Sequence, residues 1–230
     1  MKEIKANNYS IWIGNNVFSK INLNGYSQVA IIVDENTQQH CLPILLNKIP
    51  QLKKALIIKT RSGEENKNIA TCDDVWKELT THHFDRESII INLGGGVITD
   101  LGGYCAATYK RGVDFINIPT TLLSMVDASI GGKVGVNLNT LKNQIGLFKN
   151  PKNVLVFPVF LETLNNRDID SGFAEIIKHA LISDKNKWKF IKSIDHKNIE
   201  WNTIITKSIS IKNKIVLLDP IEKRERKKLN

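Results

Sequence analysis

No run in the 230-residue sequence approaches the roughly 20 consecutive apolar residues that a bilayer-spanning helix requires. The first residues, MKEIKANNYSIW, lack the apolar core and small-residue cleavage site of a secretory signal, so the expected location is the cytoplasm, with no membrane partner. Cysteine is scarce: Cys41, Cys72 and Cys105 are widely spaced with no CxxC, which argues against a disulfide scaffold or a zinc ribbon. Aromatics make up only 7%, and the formal charge of +9 is spread over lysines scattered among Asn and Ile. A nucleic-acid binder would cluster its cations or interleave them with aromatics, so no nucleic-acid partner is expected. The same basic field still attracts small, highly charged anions. Internal repeats and low-complexity linkers are also missing.

What is present is ordinary globular material, with 42% hydrophobic and 24% charged residues. Short apolar runs at Val29 to Asp34, Leu56 to Lys59, Ser88 to Leu93, Phe115 to Ile118 and Val154 to Phe157 alternate with amphipathic stretches such as Asp73 to Thr80. That alternation predicts βα units around a mostly parallel sheet. After Asn165 the pattern turns helical, through Gly172 to Ile182 and then Trp201, Ile204, Ile205, Ile209, Lys212 and Val216. The fold class expected is α/β: a parallel-sheet nucleotide-binding domain over 1–164, followed by the beginning of an α-helical domain over 165–230. The last stretch, PIEKRERKKLN, shows no capping or packing signal.

Four segments carry chemistry. In INLGGGVITDLGG, residues 91 to 103, three glycines separate a buried strand from a helix, leaving room for a pyrophosphate near the helix N–H groups. The spacing is not GxGxxG, and a tight strand-to-helix turn is the plain alternative. Asp34, Glu35 and Asn36 follow the first strong strand, where a ribose can be held, although a solvated turn explains them equally well. Polar Thr120, Thr121, Ser124, Asp127 and Ser129 punctuate an apolar stretch before a GGK turn. Buried polar groups need partners, so this is either an internally satisfied turn or the wall of a polar site, and Lys133 beside two glycines suits an anion. Glu175, Lys178 and His179 share a helix face. A Glu and His at this spacing can bind a divalent metal, while a surface ladder of Glu175 with Lys178 is the commoner outcome. The adjacent His82 and His83 read as helix-end residues.

Laid out in order, GEENK, LGGGVITDLGG, ATYKRG, PTTLLSMVDASIGGKVGVN, KNQIG, FLETL and SGFAEIIKHA closely resemble the blocks of the 3-dehydroquinate synthase family, over essentially the whole chain. The resemblance implies that NAD is held by Asp34, Asn36, Glu64, Lys67, Gly95, Gly96, Val97, Asp100, Thr120, Thr121, Lys142 and Phe160, Leu161, Glu162, Thr163. It gives Arg111, Asp127, Lys133 and Asn143 to the substrate, mainly its phosphate end, and Lys212, Arg226 and Asn230 to its carboxylate end. Glu175 is implied as a ligand of a divalent metal, zinc or cobalt, with Lys178 facing the same site.

The implied reaction is a carbon–oxygen lyase step of the shikimate pathway, which supplies chorismate and the aromatic amino acids. It turns 3-deoxy-D-arabino-heptulosonate 7-phosphate into 3-dehydroquinate and phosphate, with NAD both oxidant and reductant. A homodimer is expected from the same resemblance. Two departures stand out. The family pattern continues past the position of Asn230 into a GHxxGHA-like block that completes the metal site, so the sequence reads as C-terminally truncated and impaired unless that segment is supplied, for instance in trans. Arg224 stands where a glycine is expected shortly before Arg226. A non-catalytic NAD-binding remnant, another sugar phosphate cyclase and a polyol dehydrogenase are the competing readings. The last has no use for Lys133, Asn143, Lys212 and Arg226 together.

Overall fold

The computed structural model describes residues 1–183, 185–194 and 199–229. Nine strands are found among them: β1 (Lys2–Lys5), β2 (Ser10–Ile13), β3 (Val29–Val33), β4 (Leu56–Lys59), β5 (Ile89–Gly94), β6 (Asp114–Pro119), β7 (Lys133–Leu138), β8 (Leu141–Phe148) and β9 (Asn153–Val156). The helices are α1 (Glu35–His40), α2 (Leu42–Lys48), α3 (Ile69–Thr81), α4 (Gly96–Thr108), α5 (Asn166–Leu181), α6 (Lys185–Lys192) and α7 (Trp201–Leu218). Seven strands form one sheet in the order β1-β2-β9-β6-β5-β3-β4, parallel except for the β1–β2 pair, while β7 and β8 form a separate antiparallel hairpin.

Strand residues alternate between two cores. Ile31, Val33, Ile89, Ile91, Leu93, Ile116 and Ile118 face one layer, closed by Leu45 of α2, Phe173 and Ile176 of α5, and Ile205 and Ile209 of α7. Ala30, Ile32, Ile58, Ile90 and Phe115 face the other, closed by Val75 and Leu79 of α3, Leu101 and Cys105 of α4, and Val134 and Val136 of β7. Burial on both faces is why these strands are runs of Ile and Val rather than alternating with polar residues. Each such side chain contributes about 1.5–3 kcal/mol on leaving water. One polar pair sits inside: Asn92 donates to Asn117 at 2.8 Å across β5 and β6, both in register and buried.

From β3 the chain passes outward to β4 and then returns to β5 on the other side of β3. This reversal puts a topological switch point at the carboxyl ends of β3 and β5, the position where open α/β sheets take their ligands. Asp34 and Gly95 both lie there.

The five strands expected from apolar runs are present, whereas the hairpins β1–β2 and β7–β8 were not anticipated. The tail differs too. Asp219 accepts hydrogen bonds from the backbone N–H groups of Lys223, Arg224 and Arg226, and a short 3-10 turn, Glu225–Leu229, buries Arg226 and Leu229. The capping group lies one residue before the stretch that shows no cap.

Gly172 fixes how α5 approaches the rest. A Cβ there would stand 2.5 Å from both Leu122 Cβ and the Leu123 backbone N. Gly172→Ala is therefore expected to lower stability by about 1–3 kcal/mol through overpacking, although alanine favours helix. Urea unfolding measures it; a neutral or stabilising substitution would mean that α5 can shift without cost.

Candidate active site

The glycine turn sits where β5 gives way to α4. Gly95 is the N-cap of α4 and no side chain caps that end, so the helix dipole is left for an anion. A Cβ at Gly95 would stand 3.1 Å from Thr121 Cγ2, and one at Gly96 would stand 3.2 Å from the Ala128 Cβ. The glycines thus let the 120–129 segment close over the turn. The side-chain-free turn at the switch point, with the uncapped N–H groups of α4 beside it, fits a nucleotide pyrophosphate.

The other residues expected for the nucleotide lie mostly in the segments that follow β3, β4, β6 and β9. Asp34 caps α1, accepting from the Thr37 N–H at 2.8 Å, and Asn36 is exposed. Glu64 is half-buried, and Lys142 reaches its Oε1 at 3.9 Å. Val97 is half-buried beside the glycines, and Thr120 bonds back to the Gly94 carbonyl at 3.0 Å. Phe160 and Leu161 have their side chains in the core, leaving Glu162 and Thr163 exposed on the 3-10 turn Pro158–Thr163. Lys67, although buried, pairs with Asp100 at 2.6 Å and donates to Asn143 Oδ1 at 2.7 Å. Burial pushes the Asp100 carboxyl up to about 6, more than the attraction of Lys67 pulls it down.

Next to Asp100 opens a cavity of about 570 Å³, an ordinary size for a small-molecule site. Asp100, Asp127, Lys133, Asn143, Lys212 and Arg226 all line it. Asp127 sits on a π-turn, Ser124–Ala128, and Lys212 reaches it from α7, donating to its backbone carbonyl at 2.7 Å and to its carboxylate. Burial alone would raise the Asp127 carboxyl, but the adjacent ammonium outweighs it and holds the group below its ordinary value. Burial lowers the Lys212 ammonium pKa, with Asp127 opposing. Lys133 at the start of β7 pairs at 2.7 Å with Glu222, whose Oε2 also lies 3.8 Å from Arg226 Nε. Arg226 fits because Gly131, at φ +99°, has no Cβ to collide with its guanidinium; the Gly131 N–H is in turn fixed by the Tyr9 hydroxyl at 3.0 Å.

A second cluster adjoins through Asp127. Donor atoms of Asp127, Glu175 and His179 all lie within 4.8 Å of one another. Glu175 is no surface residue: its side chain is 12% exposed, paired with Lys178 at 2.8 Å and with His179 Nε2 at 3.0 Å. His179 is fully buried, its Nδ1 meets Ser208 Oγ at 2.7 Å, and its Nε2 completes no hydrogen bond. A buried imidazole nitrogen left open beside two carboxylates fits a borderline cation such as zinc or cobalt. Lys178 also donates to the Leu229 carbonyl at 2.6 Å, tying the tail to α5.

Two expected residues stand apart. Arg111 is exposed at φ +69° and lines a different hollow with Asp85, Arg86 and Lys110. Asn230 lies outside the described residues. Glu222, Ser208 and Tyr9 were not anticipated. Nothing in a charged tail marks Glu222, and the other two act through contacts distant in the chain.

A glycine turn at the sheet's switch point, beside a cation-lined cavity and a buried carboxylate–imidazole cluster, defines an α/β protein of the dehydroquinate-synthase-like fold. The solved structure of a 2-deoxy-scyllo-inosose synthase, complexed with carbaglucose-6-phosphate, NAD+ and Co2+, shares that fold with a TM-score of 0.88 at 22% identity, covering 99% of this chain and 67% of that one. The chain belongs to the 3-dehydroquinate synthase family: residues 57–171 match its N-terminal part and residues 172–230 its C-terminal part. The 3-dehydroquinate synthase of Parabacteroides distasonis is 42% identical over 89% of this chain, and that of Campylobacter jejuni strain RM1221 is 41% identical over 99%. The chain spans 59% and 66% of the length of these two relatives.

Proposed function

We propose that the chain serves 3-dehydroquinate synthase chemistry, in which 3-deoxy-D-arabino-heptulosonate 7-phosphate loses phosphate and becomes 3-dehydroquinate. The observation that carries this reading is the cavity of about 570 Å³ that Lys133, Lys212 and Arg226 line together with Asp100, Asp127 and Glu222. When bound, NAD would supply reversible oxidation of a ring alcohol, and a divalent cation would polarise that alcohol. Gly95, Gly96 and Val97 would hold the dinucleotide at the uncapped start of α4, together with Glu64 and Lys67. Lys133 and Asn143 neutralise and orient the leaving phosphate, and the developing charge there is what fixed cations stabilise most. Lys212 and Arg226 hold the carboxylate end. Glu175 would hold the metal, with His179 and Asp127 within reach, and Lys178 pairs with the Glu175 carboxylate at 2.8 Å. Residues 1–164 form the nucleotide half, 165–230 contribute the metal side, and two copies of the chain associate as a homodimer.

A titration tests the reading on the chain as it exists. NAD and inorganic phosphate should each bind, and Lys133→Ala should weaken phosphate by tenfold or more, about 1.4 kcal/mol, while leaving NAD unchanged. Formation of 3-dehydroquinate from the sugar phosphate, with NAD and zinc present, is the direct assay. Phosphate binding indifferent to Lys133→Ala would overturn the assignment of the cavity.

A second reading, an NAD-holding module without turnover, is favoured by Glu222. Its carboxylate occupies the place between Lys133 and Arg226 where a substrate anion would lie. NAD binding without any phosphate binding would support it.

A further inference from the structure

Hairpin β7–β8 stands outside the main sheet, and its ladder is irregular between Val136 and Leu138. Asn137 sits at that irregularity, so its backbone N–H leaves the hairpin and donates to the Lys67 carbonyl at 2.8 Å. The Lys67 ammonium donates to Asn143 Oδ1 at 2.7 Å, and the Asn143 N–H donates to Asn137 Oδ1 at 2.8 Å. The ring of bonds closes on itself. The other end of the Asn137 carboxamide donates to Glu64, to its carbonyl at 3.2 Å and its Oε1 at 3.0 Å. Asn143 is itself held at φ +55°, a conformation that needs such local support.

We propose that Asn137 is a positioning residue that couples the nucleotide side of the site to its anion side. The inference rests on the reading that Glu64 and Lys67 take the dinucleotide and Asn143 the phosphate. Its physical basis is that one side-chain amide spends its donor on Glu64 and its acceptor on Asn143. Ordering either loop therefore orders the other. A ligand on one side finds the far side already arranged, and by linkage the effect is reciprocal.

Calorimetric titration of NAD, with and without saturating inorganic phosphate, reads the coupling directly. In the unsubstituted chain phosphate should tighten NAD by about fivefold or more. In Asn137→Ala each ligand alone should bind within about threefold of that chain, while the coupling factor falls to about one. Asn137→Asp keeps the acceptor for Asn143 but sets a second carboxylate against Glu64, and should lose the coupling as well. Should the alanine variant not fold, Asn137→Ser, too short to reach both partners, is read in the same way.

Coupling retained in the folded variants would overturn the proposal, as would a general loss of both single-ligand affinities together with a lowered melt, which marks a merely structural residue. Independent binding of NAD and phosphate to the unsubstituted chain would sink the coupling and leave the functional reading standing. Failure of both ligands to bind would sink the functional reading itself.

Discussion

Asp127→Ala should destabilise the chain by about 3–5 kcal/mol, because it strands the ammonium of Lys212 in the interior without its anion. Lys212 has a side chain only 5% exposed, and it comes from α7, whereas Asp127 comes from the turn that packs against α4. The pair therefore ties the helical part to the sheet. The cost lies in the orphaned charge and not in the attraction itself, so the double substitution Asp127→Leu with Lys212→Met should regain most of it. Urea denaturation of the three variants measures this. A loss below about 1 kcal/mol in Asp127→Ala would show that water reaches the ammonium and that the pair is no interior bond.

The second large effect is a dependence on pH centred on Asp100. Its folded carboxyl is raised to about 6 from an ordinary value of 3.8, so the folded protein binds this proton more tightly than the unfolded chain does. A raised value contributes stability that is fully present below about pH 4 and is lost as the pH climbs through about 6. Relative to Asp100→Asn, which cannot titrate, the unsubstituted chain should lose up to about 3 kcal/mol between pH 4 and pH 8. Unfolding free energies of both forms across that range give the difference. A flat difference would mean that Lys67 offsets the burial of Asp100 completely, and a rising one would reverse the sign of its shift.

The central sheet was legible because a strand buried on both faces must be a short, continuous apolar run, and Val29 to Val33 and Ile89 to Leu93 are runs of that length and kind. The hairpins were not. Strand β8, LKNQIGLF, is mostly exposed, and β1, KEIK, has a single half-buried apolar residue, so neither carries a periodic signal. The glycine turn, Lys133 and Asp127 could be picked out because small or charged residues interrupt apolar sequence there. Asp34 shows the limit of that method. The expected ribose position is also a helix cap, and one aspartate after a strand looks the same in either role. Glu222 was invisible for a different reason: its meaning comes from Lys133, which no local pattern in the tail reveals.

Tyr9, Gly131 and Arg226 meet at one point, although they come from the beginning, the middle and the far end of the described chain. During synthesis the glycine turn and every strand of the main sheet have emerged once β9 is complete, whereas the arginine's berth waits for α7 and the turn after it. In a nascent polypeptide the glycine turn can consequently form well before Arg226 is in place, and the long sequence separation between Tyr9 and Arg226 makes their meeting slower than the closure of the sheet.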